Sequence, residues 1–425
     1  MKKQVIIGLG ITVLLLLSGV AIRHAIPDRK EVQNSRITVR TEIRDTQSKE
    51  TETVMQATET QAEEPVEPEE VSVSGLRAQR EDAGHIKIQW EDDSNAVITG
   101  YSVERRDNRT DKDQAAWTTV GEVDVAKQAG KQSYAYMDTL GSEDPQQYVY
   151  RVVPQLRDTE AYVAAKGSVV LCSNWKICID PGHYAGKNEV PGTDSYGYAE
   201  GDFTLQVALE LQERLEKDYG IAVSMTRDTG SISIGGYTDA ALDSGHISLR
   251  GSYAAEQGCN LFVSIHTNAN EDNANGAGTF QQPIAIDKPI VIANDRMLSS
   301  DVLREVCNEV GQNLAEASYE LGISSHKDFT ALSGSKAREW TTSYNDSIRE
   351  QGTVVCRHGN HGQYYGVLRG AEEAGIPGVI IEHGYHTVVE MRNAAKNGNL
   401  KSKWADADAD ADGIASAMGF HKLSK

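Results

Sequence analysis

Apolar positions change texture along the chain, and each texture predicts a different kind of element. Residues Val5 to Ile22 form an uncharged run of about 18 residues behind Lys2 and Lys3, near the lower limit for crossing a bilayer. This predicts a transmembrane anchor or signal segment over 1–23, and the small residues of Gly19-Val-Ala21 leave signal cleavage open. Over 24–70 the chain is rich in Thr, Glu, Gln, Ser and Pro with almost no aromatic residue. Such a stretch buries too little apolar surface to offset the entropy of ordering, so a disordered acidic linker is expected. From 71 to 170 short segments alternate with period two, as in His85-Ile-Lys-Ile-Gln-Trp90 and Tyr148-Val-Tyr-Arg-Val-Val153, the pattern of a small antiparallel sandwich. From 174 to 425 apolar strands alternate with helical stretches, which predicts an α/β domain with a twisted, mostly parallel sheet flanked by helices.

Within this last region three apolar runs each end in a side chain suited to metal or proton chemistry. Lys176-Ile-Cys-Ile-Asp-Pro-Gly leads to His183, Leu261-Phe-Val-Ser-Ile265 to His266, and Gly378-Val-Ile-Ile381 to Glu382. Ligands gather beyond the carboxyl ends of strands in α/β sheets, so the three point to one site. One helix is predicted from near Asp202, with Phe203, Val207, Leu211 and Leu215 on one side and Gly220 as its stop. Another is predicted from Asp301 to Leu321, with Leu303, Val306, Val310 and Leu314 aligned. The stretch 324–360 is polar and weakly patterned and predicts no element. The repeat Ala405-Asp-Ala-Asp-Ala-Asp-Ala-Asp-Gly413 begins like a calcium loop but has Gly419 where the closing Glu belongs. It is expected instead to lead, as acidic residues, into a terminal helix near Gly413 to His421.

Charge and cysteine content narrow the classes. With 62 acidic against 42 basic residues, a net charge of -20 and no basic stripe, nucleic-acid binding is excluded. Cys172, Cys178, Cys259, Cys307 and Cys356 lie far apart with no Cys-x-x-Cys pair, which disfavours a zinc ribbon or a dense disulfide framework.

Two histidines and a carboxylate are a common ligand set for hydrolytic zinc, with water in the open fourth place. The metal lowers the pKa of that water and polarises the scissile carbonyl, while a further carboxylate is needed to carry the proton to the leaving amine. Glu200, just ahead of the helix at Asp202, is the candidate third ligand beside His183 and His266, and Glu382 is the candidate base. Asp180 either orients a ligand or opens the Asp-Pro-Gly turn, Arg369 is a candidate for an anionic substrate group, and His326, His358 and His361 are expected to be solvated.

These residues carry a family resemblance. Ile177-Cys-Ile-Asp-Pro-Gly-His183, Glu200, Thr226-Arg-Asp228, Leu249-Arg250, Leu261-Phe-Val-Ser-Ile-His-Thr-Asn268 and Ile376-Pro-Gly-Val-Ile-Ile-Glu-His-Gly384 resemble, in order, the blocks of the zinc-dependent N-acetylmuramoyl-L-alanine amidases of the amidase 3 type. The resemblance implies that His183, Glu200 and His266 bind Zn2+ and that Glu382 is the catalytic acid/base. It also implies a peptidoglycan substrate, cleaved between the muramic acid lactyl group and the first L-alanine of the stem peptide. A zinc peptidase acting on another stem-peptide bond and a non-catalytic wall-binding protein are the alternatives. The chain departs from the family in its loop from His183 to Glu200, in extra polar sequence around 324–360, and in His383 and His386, expected to be supporting or surface groups. The 71–170 segment resembles a fibronectin type III domain through Trp90, Tyr101 and Tyr148-x-Tyr150-x-Val152, and as such would space the enzyme or bind a wall component or protein activator. The expected arrangement is a single-pass membrane protein with its catalytic domain outside the cell, or a secreted one if the signal is cleaved.

Overall fold

The structure is a computed structural model, and it describes residues 67–91, 97–110, 116–128, 132–165, 167–189, 198–269, 288–329, 347–351, 354–386, 391 and 400–423. The predicted anchor at 1–23 and the predicted linker up to residue 66 lie outside the described residues; among the described ones no helix is long and apolar enough to cross a membrane. The last residues assigned to the linker form a short strand, β1 (Glu69–Val71), parallel to β8 (Tyr162–Ala164).

Two antiparallel sheets make the first domain. One holds β2 (Ser74–Asp82), β3 (His85–Glu91) and β6 (Ser133–Thr139), and the other is ordered β5 (Thr118–Asp124), β4 (Ile98–Asp107), β7 (Gln147–Leu156), β9 (Val170–Ser173). Period two does its expected work: Ile86, Ile88 and Trp90 alternate inward along β3 and meet Tyr101, Val103, Tyr150 and Val152 from the facing sheet.

The second domain is built on an eight-stranded sheet ordered β11 (Ala222–Met225), β10 (Lys176–Pro181), β14 (Leu261–Asn268), β19 (Gly378–Tyr385), β15 (Ile290–Ala293), β17 (Val354–Gly359), β16 (Ser347–Gln351), with β18 (Gly362–Gln363) also on β17. Both faces are covered, which is why its strands read as unbroken apolar runs. Ile177, Ile179, Leu261, Val263, Ile265, Val379 and Ile381 face one core with α1 (Glu200–Tyr219), α4 (Asp301–Glu320) and α6 (Leu400–Ala417). Cys178, Phe262 and Ile380 face the other, against α3 (Ser248–Glu256) and α5 (Gly366–Glu373). Helix α1 buries Phe203, Val207, Leu211 and Leu215 and stops at Gly220, whose φ of 64° only glycine adopts freely. A short helix, α2 (Asp239–Gly245), precedes α3.

Three expectations change. The sheet is mixed: β11, β10, β14 and β19 are parallel, but β15 runs antiparallel to β19 and carries β17 parallel to itself. Chain leaving β14 passes through a polar, Asn- and Gly-rich stretch before it re-enters the sheet reversed as β15. The unassigned region 324–360 contributes the hairpin β16–β17 at the sheet edge, where polar residues are tolerated and the apolar signal is weak. The Ala-Asp repeat does not lead into a helix; it lies inside α6. Alanine is the best helix former, and the small side chains of Ala407, Ala409 and Ala411 let α6 press close to α4, with Gly413 against the Val310 backbone. Asp408 and Asp412 face outward to Arg214 and Lys422, whereas Asp406 and Asp410 are buried.

Polar contacts join the two domains. Arg80 of β2 donates to the Asn174 carbonyl at 2.6 Å and to Asn260 Oδ1 at 3.2 Å, Gln147 of β7 donates to the Tyr219 carbonyl at 2.8 Å, and Asn108 to the His421 carbonyl at 2.8 Å.

Candidate metal centre

Parallel β10, β14 and β19 end side by side, with Ile265 opposite Pro181 and His266 opposite Glu382. Past β10 the chain must turn tightly under the His266 ring. A Cβ on Gly182 would sit 2.5 Å from His266 Cε1 and 2.6 Å from the Ile265 carbonyl, so only glycine fits. The next residue, His183, takes a left-handed backbone with φ 59°, a conformation that costs about 1 kcal/mol and persists where surrounding contacts impose it. Those contacts aim its ring at His266, the two centroids 5.0 Å apart.

Glu200 closes the group as the first residue of α1, almost fully buried. Its Oε1 lies 3.0 Å from His266 Nδ1 and accepts the Thr267 N–H at 2.9 Å; its Oε2 lies 3.3 Å from His183 Nε2 and accepts Asn188 Nδ2 at 2.7 Å. The ligand atoms of His183, Glu200 and His266 all lie within 4.8 Å of one another. Two imidazole nitrogens and a carboxylate oxygen at this spacing fit a tetrahedral zinc ion with one open position.

A chain of buried charges holds His183. Its Nδ1 is 3.0 Å from Asp243 Oδ2 on α2, and Asp243 Oδ1 accepts Arg250 Nη2 at 2.8 Å. Arg250, fully buried on α3, also donates to the His183 carbonyl at 2.6 Å and to Asp180 Oδ1 at 2.8 Å. Asp180 accepts Thr226 Oγ1 and Ser264 Oγ as well, at 2.5 and 2.7 Å. It therefore touches neither histidine ring and acts on the centre through Arg250.

Electrostatics match a cation site. Burial pulls the His183 pKa down, but the hydrogen bonds its ring donates to Asp243 and Glu200 outweigh it and raise the pKa to about 9. Burial pushes the other way on Glu200, where the hydrogen bonds with His183 and His266 hold the carboxyl well below the carboxylate range. A proton on His183 thus neutralises the buried Glu200 where a metal would. Glu382 differs: burial raises its pKa to about 7, and among the described residues its buried Oε2 has no hydrogen-bond partner. A carboxyl poised near neutrality beside a ligand set is suited to proton transfer.

His383 and His386 turn away from the surface. His383 Nε2 lies 2.9 Å from Asp410 Oδ2 of α6, both fully buried, and Asp410 raises the imidazole pKa to about 9 against the effect of burial. His386 Nδ1 meets Thr267 Oγ1 at 3.0 Å, which Tyr198 Oη reaches at 2.8 Å. Arg369 donates to the Gln363 carbonyl at 3.2 Å; His361 is exposed, His326 half-buried, and His358 is buried against Asp295 instead of solvated. Sequence reasoning missed Asp243, Asn188 and Asp410. Asp243 sits in Asp239-Ala-Ala-Leu-Asp243, indistinguishable locally from any helical acid.

The family model for N-acetylmuramoyl-L-alanine amidase matches residues 177–415, more than half of the chain. No curated protein matches. Among solved structures the chain is similar to the amidase AmiC2 of Nostoc punctiforme, at 19% identity over 57% of this chain and 96% of that one, TM-score 0.34. It is similar also to the catalytic domain of CwlV from Bacillus (Paenibacillus) polymyxa var. colistinus, at 17% over 57% and 97%, TM-score 0.34. The amidase Ami1 of Mycobacterium smegmatis matches at 17% over 58% and 97%, TM-score 0.33.

Proposed function

The chain belongs to the N-acetylmuramoyl-L-alanine amidase family and is a peptidoglycan amidase, and we propose that His183, Glu200 and His266 hold its zinc while Glu382 moves the protons. The bond cleaved joins the lactyl carbonyl of N-acetylmuramic acid to the nitrogen of L-alanine. When bound, zinc supplies a Lewis acid that polarises the carbonyl and acidifies water.

The protein's own residues do the rest. Asp243 fixes the His183 ring through an Nδ1 contact of 3.0 Å, which leaves Nε2 turned toward Glu200, so the ligand is oriented before the metal arrives. Glu382 Oε2 takes a proton from the attacking water and returns it to the alanine nitrogen as the amide breaks. The observation that carries this role is the pairing of a buried oxygen that has no hydrogen-bond partner among the described residues with a pKa near 7, on the strand position paired with His266.

Beyond the site, the uncharged Val5 to Ile22 run supports a membrane anchor with the catalytic domain outside, and the acidic 24–66 stretch supports an extended tether. The two-sheet domain is of fibronectin type III type on the strength of its Trp90 and Tyr101 core and its three- and four-stranded sheets, and it serves as a spacer that can meet a wall component or a protein activator.

Digestion of purified peptidoglycan by the zinc-loaded protein, followed by mass analysis, tests the reaction. Intact stem peptides beginning with a free L-alanine amine, and glycan carrying free lactyl carboxylates, are expected. Peptides cut internally with alanine still on the glycan would point to a peptidase, and undigested wall to a binding protein.

A further inference from the structure

The reversal of β15 and β17 gives this sheet a second carboxyl edge. Ligand sites collect where parallel strands end, and the proposed zinc site occupies that edge for β10, β14 and β19. Because β15 runs antiparallel to β19 and parallel to β17, their carboxyl ends open on the opposite side of the sheet. There a second group of metal-type side chains meets. Asp295 follows β15, His358 lies near the end of β17, and Glu372 stands at the end of α5, their ligand atoms all within 4.8 Å of one another.

The group is built like a site. His358 is buried, with Nε2 3.1 Å from Asp295 Oδ1, and the side chains of His358 and Asp295 are 10% and 22% exposed, so an ion could enter from solvent. Glu372 is oriented from behind: Oε2 accepts the Asp295 backbone N–H at 3.0 Å, and the Glu372 carbonyl accepts Arg296 Nε at 2.8 Å. An imidazole with two carboxylates, their ligand atoms this close together, suits a first-row divalent ion such as Zn2+.

We propose that Asp295, His358 and Glu372 form a second, structural divalent-metal site that clamps the β16–β17 edge hairpin to α5 and β15. The ion would tie together segments up to 77 residues apart in sequence, on the edge away from the catalytic residues. The proposal stands or falls independently of the proposed zinc ligation at His183, Glu200 and His266.

The test is zinc binding by the full chain, stripped with chelator, dialysed against excess Zn2+ and analysed for metal per chain. Two equivalents are expected in the wild type, one in Glu372→Gln, one in His183→Ala/His266→Ala, and none when the three substitutions are combined. Amidase activity should persist in Glu372→Gln, while chelation should lower the melting temperature of His183→Ala/His266→Ala. Equal zinc content in the wild type and Glu372→Gln would overturn the site. Should Glu372→Gln fail to fold, the His183→Ala/His266→Ala chain decides, since no zinc bound there, or zinc that leaves its melting temperature unmoved, also overturns it.

Discussion

Asp243 shows how a residue outside the ligand set governs it. It bridges the His183 Nδ1 and the buried Arg250, so its loss leaves His183 Nδ1 without its carboxylate and Arg250 with Asp180 alone. Asp243→Ala is expected to weaken zinc binding by about 10- to 100-fold, read by competition with a chromophoric chelator, with the fold retained. Glu382 carries the opposite kind of cost. Its pKa of about 7 lies above its ordinary 4.5, so its contribution to stability is fully present below pH 4.5 and lost as pH rises through 7. The residue keeps one edge toward solvent, which limits the loss to about 2 kcal/mol. Metal-free Glu382→Gln should therefore melt higher than wild type at pH 8 and alike at pH 4.5; equal melting at both values would remove the burial argument. Residues such as His183, His266 and Glu382 were legible in the chain because each ends an apolar strand run. Asp243 and Asp410 were not, because their partners lie 60 and 27 residues away and only the fold brings them together.

At the scale of elements, α6 is the clearest case of a sequence whose local meaning misleads. Alternating Ala and Asp looks like a solvated acidic lead-in, yet wound at 3.6 residues per turn it places Asp406 and Asp410 on one buried face and alanines against α4. Asp410 is there to pair with His383, next to Glu382 in β19. Removing one partner of a buried pair strands the other charge, so Asp410→Ala should cost about 3 to 5 kcal/mol in denaturant unfolding. The double variant His383→Leu/Asp410→Leu should recover most of it, because an apolar pair leaves only the Asp406 carboxyl buried there, which burial pushes up to about 7; failure to recover would show that the pair does more than neutralise itself. The β16–β17 hairpin escaped sequence reading for the reverse reason. An edge strand needs no apolar face, so nothing in Ser347-Ile-Arg-Glu-Gln351 separates it from a loop.

For the whole molecule, the sandwich and the α/β domain share a polar seam instead of a free linker. Strand β9 ends at Ser173 and β10 begins at Lys176, too short a gap for independent motion, and Asn174 between them hydrogen-bonds the Ala83 and Asp144 carbonyls and the Gln146 N–H. The two domains should unfold in one calorimetric transition, whereas Arg80→Ala, which removes donors to Asn174 and Asn260, should split or broaden it. Two transitions in the wild type would mean that the seam does not couple them. The proposed catalytic residues converge on the carboxyl ends of β10, β14 and β19, and the central claim is that Glu382 transfers the proton there. Its most direct test is kcat/KM of Glu382→Gln against wild type, both with equal zinc content, on purified peptidoglycan. A fall of about 10²- to 10⁴-fold at unchanged metal content is predicted, and a rate equal to wild type would contradict the account.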